Sequence, residues 1–223
     1  MRHPVSKDLY AYWNRLRGAR AAPDRGDINP ADIRHVLADS FILEVDSESL
    51  FPIRLCGTRL NALRLIDQKG KSFLDFWRQE DRRSVAAALL TTIDGATPIV
   101  AGAQAAPPSN TLNLDDLDSP FDSNRNCEMS FELLLLPLRH FGKTHARLLG
   151  SLASADQPAW FGRVGASPLS LSSLRVIKAQ EVETSQWPAS PGHRSLAIGG
   201  KTPRLVVYEG GMSKINRPVL QNS

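Results

Sequence analysis

The order in which the hydrophobic period changes along this chain constrains its fold more than any single motif. Two short strand-like runs come first, Phe41 to Asp46 and Phe51 to Cys56, separated by the polar tetrad SESL at 47–50. A helical block follows: Leu60, Leu63 and Ile66 share one side before Gly70, Phe73, Phe76 and Trp77 sit on a turn opened by Ser72 and Asp75, and Val85, Leu89 and Ile93 recur four apart over Glu80 to Asp94. Three more strand-like runs then appear, Thr97 to Gly102, Glu128 to Arg139 and Thr144 to Ala153, the last two folding back at HFGK. Met129, Phe131, Leu133 and Leu135 alternate with Ser130 and Glu132, the period of a sheet with one buried face. Strands, helical block, strands is the order of an α+β domain in which helices cover an antiparallel sheet.

Ahead of this block, Leu9, Tyr12, Trp13 and Leu16 fall at i, i+3, i+4 and i+7, which predicts a helix over Ser6 to Arg17 ending at Gly18. Beyond the linker AAPDRGD, Asn29 offers an N-cap oxygen and Pro30 suits the first helical position, with Ile33, Val36 and Leu37 as a short buried face. The stripe is too apolar to face water, so it either covers the open face of its own sheet or pairs with a second copy, and Leu9, Tyr12, Trp13 and Leu16 are expected to form an interface. A two-fold homodimer anchored by Tyr12 and Trp13 is the favoured form of it. The resulting layout is a helical extension at 1–40, a sheet domain at 41–177 with a Pro-, Asn- and Asp-rich insertion at 105–126, and a flexible tail at 178–223. Within the tail, Leu205, Val206 and Val207 are the exception that could dock as a strand.

Composition removes several functional classes. From His193 onward Arg194, Lys201, Arg204, Lys214 and Arg217 face only Glu209, yet no dense basic run forms, so nucleic acid is not the expected partner. Cys56 and Cys127 are too isolated for a disulfide framework or a zinc knuckle. No stretch approaches the about 18 consecutive apolar residues of a membrane span, and the N-terminus MRHPVSKDLYAYW lacks a signal core, which together predict a cytoplasmic protein. Catalysis lacks its parts: there is no GxSxG elbow, Asp115-Asp116 lies in the insertion, and Glu80-Asp81 stands at a helix start, where acids favour the helix dipole. No catalytic residue and no metal ligand set is assigned.

Five segments carry a family resemblance: LYAYWNRLRG at 9–18, INPADIRHVL at 28–37, IRLCGTRL at 53–60, GKSFLDFW at 70–77 and FELLLLPLRHFG at 131–142. In this order they resemble the bacterial stand-alone PAS-domain family, in which a Trp-bearing helix precedes the sensor fold. The resemblance implies a five-stranded antiparallel sheet with helices over one face, and a pocket walled by the helical block. Arg59, Phe73, Phe76 and Trp77 are the corresponding pocket candidates here, with Arg59 as a donor to an acidic ligand. No cofactor is expected. The NRNC string at 124–127 resembles a flavin-binding cysteine motif but opens a strand instead of lying on the helical block. Haem-binding members use a histidine of that block, and residues 57–96 contain none, while His35, His140 and His145 lie elsewhere. The expected function is a non-catalytic signalling module acting on a partner protein. The alternative is a small-metabolite sensor whose occupancy alters the surface of the N-terminal helix.

Overall fold

The computed structural model describes residues 1–45, 51–108, 128–140 and 143–177. The SESL connection, Cys127, nearly all of the insertion and the tail with Leu205 to Val207 lie outside the described residues. Strands β1 (Ser40–Glu44), β2 (Ile53–Cys56), β3 (Ile99–Ala105), β4 (Met129–His140), β5 (Lys143–Ala153) and β6 (Ser170–Val176) form one sheet in the order β2-β1-β5-β4-β3-β6. Every pairing is antiparallel. Helices are α1 (Pro4–Arg17), α2 (Thr58–Arg64) and α3 (Arg82–Asp94), with 3-10 turns at Pro30–Ile33, Leu37–Asp39 and Phe73–Phe76 among others. The expected α+β class and antiparallel sheet are present, with one strand more than the five expected.

That sixth strand was hidden by a bulge. β6 pairs with β3, but the register shifts between Gly102 and Ala103, so Leu171 and Leu174 are not separated by the even spacing of a regular strand. Its start is tied to the helical block. Leu169 exchanges backbone hydrogen bonds with Phe76 and Arg78, and the Asp81 carboxylate accepts from the Leu171 N–H at 3.0 Å.

The sheet is covered on both sides. On one face Phe41, Leu43, Ile99, Leu133, Leu135 and Leu148 pack against Leu60 and Leu63 of α2, the Phe73–Trp77 turn, and Val85, Leu89 and Ile93 of α3. On the other, Ile42, Leu134, Leu136, Leu138 and Leu149 pack against Leu9, Tyr12 and Trp13 of α1. The single buried face expected for β4 is therefore corrected. Its continuous LLLL run marks a strand buried on both faces, because α1 supplies the second cover.

Local chemistry explains the helix ends. The His3 imidazole Nδ1 accepts from the Val5 N–H, Pro4 takes the first helical position, and Gly18 at φ +54° stops the helix, so α1 begins two residues before the expected Ser6. Asn29 caps its turn as expected, accepting from the Ala31 N–H. Helix α2 ends at Leu65, whose left-handed backbone (φ 58°) turns the chain away from the core. Ile66, expected on the buried side with Leu60 and Leu63, is consequently 53% exposed.

Candidate functional site

Gly57 brings two elements together. Its N–H donates to the Ser40 carbonyl at 2.8 Å, and a Cβ there would stand 2.3 Å from the Ala38 carbonyl oxygen and 2.4 Å from that of Leu37. Only glycine lets the start of α2 approach the Leu37–Asp39 turn so closely. This approach places Arg59, on the first turn of α2, beside Asp39: Arg59 Nη1 donates to Asp39 Oδ2 at 2.5 Å. The Asp39 side chain is 2% exposed and that of Arg59 is 44% exposed. Burial pushes the Asp39 carboxyl up, the Arg59 charge and hydrogen bond pull it back, and it remains above its usual range.

Behind this pair lies a cavity lined by Leu60, Leu63, Met129, Phe131, Leu152 and Phe161, with Ser154 and Gln157 at its polar side. Its volume is about 10 Å³, space for about one water molecule. Small-molecule pockets span roughly 300 to 1,000 Å³.

The aromatic candidates fill the interior instead of lining that cavity. Phe73 stacks on Phe41 with ring centroids 4.9 Å apart, Phe76 lies 5.9 Å from Phe73, and Trp77 meets Phe73 edge-on at 6.1 Å. All three are buried. The structure thus brings Phe73, Phe76 and Trp77 together, and places Arg59 in a separate cluster with Asp39. Among the described residues the buried Trp77 indole N–H has no hydrogen-bond partner.

The N-terminal stripe lies on the chain's own sheet. Leu9, Tyr12 and Trp13 are buried, and Leu16 packs at the edge of the same cluster. Trp13 Nε1 donates to the Pro137 carbonyl at 2.8 Å, and the Tyr12 hydroxyl accepts from the Asn29 N–H at 2.8 Å. These contacts leave Leu9, Tyr12 and Trp13 without surface for a second copy in this arrangement.

Two acids that matter gave no sequence signal. Asp39, between Ala38 and Ser40, reads as an ordinary surface residue ahead of a strand. Glu132, expected on the solvent side of β4, accepts from the backbone N–H groups of Arg2 at 2.7 Å and His3 at 3.1 Å. Burial works to raise its pKa, but those bonds and the Ser6 hydroxyl outweigh burial and hold it below the usual carboxylate range. Burial and the nearby Asp67 charge push the Cys56 thiol up to about 12. His35 faces Asp8 at 3.5 Å. Among the described residues no three His, Cys, Asp or Glu side chains converge as a metal set, and no helix is long and apolar enough to cross a membrane.

A mixed sheet-and-helix domain with a three-piece helical cover on one face and a packed N-terminal helix on the other is a PAS-like α+β architecture. A family model for the PAS domain matches residues 1–153, from α1 through β5, and the chain belongs to that family. PAS domains are sensory and regulatory modules. No curated protein and no solved structure matches the chain. Strand β6 lies outside the matched span.

Proposed function

We propose that this chain is a non-catalytic PAS-type signalling module that works in the cytoplasm by docking on another signalling protein. The filled interior carries this reading: the space behind Arg59 accommodates about one water molecule, and the aromatic side chains that would wall a ligand pocket pack against one another. A module whose described residues enclose space for about one water molecule behind Arg59 is suited to relaying its signal through its surface. The partner can be a second copy of the chain, in which case the contact uses a surface other than the buried α1 stripe. One observation favours the small-metabolite alternative. The partly exposed Arg59 guards a buried carboxylate at the mouth of the cavity, so an acidic ligand drawing Arg59 outward would open it. Native mass spectrometry and absorption spectroscopy of the purified protein separate the two. The docking reading expects the mass of the bare chain and absorbance from aromatic side chains alone. A small molecule retained at one equivalent, and lost in Arg59→Ala, would overturn it.

A further inference from the structure

Beyond the docking role, the geometry points to a second site, on the face of the sheet opposite the helical block, for a small phosphorylated metabolite. α1 lies along β4 and leaves the β3 and β6 end of that face open as a groove of about 630 Å³, within the range of small-molecule sites. Gly102, Ser130 and Ser173 line it, together with Arg2 and Arg175.

Gly102 shapes this lining. A Cβ at this position would stand 2.6 Å from the Ser172 hydroxyl and 2.8 Å from that of Ser173, so the missing side chain is what lets two hydroxyls converge there. The Gly102 N–H donates to Ser173 Oγ at 3.1 Å. That bond leaves the hydroxyl proton free to donate outward. The bulge in β6 that places Ser172 and Ser173 side by side is thereby a feature of the groove as well as of the strand.

The groove lining carries two guanidinium groups, Arg2 and Arg175, against one carboxylate, Glu132. Glu132 stays charged, but its oxygens are turned to the backbone N–H groups of Arg2 and His3, which hold it in place. Among the described residues neither Arg2 nor Arg175 forms an ion pair, so both guanidinium groups remain for a ligand. Guanidinium and hydroxyl donors in an open, partly apolar lining suit a phosphate group, which accepts bidentate hydrogen bonds from arginine. The groove includes Ser172, Ser173 and Arg175 of β6, which lies outside the span of the family match.

Pyrophosphate titrated into the full-length protein at low ionic strength tests the site, read by the Gly102 amide resonance and by calorimetry. The expected result is a saturable shift at Gly102. Arg175→Ala should weaken binding by at least about tenfold, the worth of one charge-assisted contact. Arg83→Ala, which removes the same charge from an exposed position on α3, should leave it unchanged. Ser173→Ala, which keeps the charge, should weaken binding while circular dichroism shows an intact fold. No saturable shift at Gly102, or an equal loss in Arg175→Ala and Arg83→Ala, would overturn the proposal.

Discussion

Asp39 is a carboxylate that the fold has taken out of water and then neutralised with a single guanidinium. Its pKa is raised by burial from the ordinary 3.8 despite Arg59, which fixes the sign of its effect on stability. Between the ordinary value and the raised one, the native state holds more proton than the unfolded chain. The contribution of Asp39 to stability therefore falls as pH rises through that window. Arg59→Ala should widen the window upward and lower stability at neutral pH by about 1 to 3 kcal/mol. That is less than for a wholly enclosed pair, because the Arg59 side chain is 44% exposed. Asp39→Asn should lose the pH dependence and be nearly as stable as the wild type at neutral pH. Urea denaturation from about pH 4 to about pH 8 reads both as the difference between wild type and variant, because the lowered pKa of Glu132 acts on stability in the opposite sense; a difference between wild type and Asp39→Asn that rises with pH across the window would show the sign to be wrong. None of this was legible in the sequence. An aspartate before a strand and a glutamate within one look alike whether solvated or buried, and what decides is the segment that later packs over them: α2 for Asp39, the N-terminal residues for Glu132.

At the scale of elements, the periodic stretches were the legible ones. Val85, Leu89 and Ile93 are buried on α3, and Leu9, Tyr12 and Trp13 on α1, because repeated apolar spacing over several turns leaves one way to hide them. Short or interrupted patterns failed for definite reasons: β6 through its bulge, Ile66 through the early end of α2. Leu65 closes that helix in the left-handed region, where a side chain costs about 1 to 2 kcal/mol. It is 47% exposed and returns little burial for the strain. Leu65→Gly should accordingly stabilise the protein by up to about 1 kcal/mol, seen as a higher melting temperature. A loss of stability would mean that the exposed part of Leu65 conceals a contact worth more than the backbone strain. The candidate site was half legible: Arg59 and the three aromatics were identifiable by resemblance, but their division into two clusters depends on how closely Gly57 admits the Asp39 turn.

For the whole molecule, the decisive quantity is what it would take to lift α1 from the sheet. Release would expose Leu9, Tyr12 and Trp13 together with Ile42, Leu134, Leu136, Leu138 and Leu149 beneath them. At about 1.5 to 3 kcal/mol for each buried side chain, the sum is roughly 12 to 24 kcal/mol, an upper bound because the unfolded chain hides part of that surface. Entire domains are stable by only about 5 to 15 kcal/mol. On that scale, detaching the helix costs as much as unfolding the domain, and a signal that passes through α1 is expected to do so by a small shift along β4 or through its exposed side. Hydrogen exchange measured by mass spectrometry should show peptides covering residues 9–16 exchanging as slowly as those of β4, since both open only when the protein unfolds. Trp13→Glu, which places a charge at a buried position 2.8 Å from the Pro137 carbonyl in the wild type, should unfold the sheet along with the helix, without yielding a folded monomer. Faster exchange confined to α1, with β4 still protected, would instead make the helix detachable and return its aromatic stripe to a second copy of the chain.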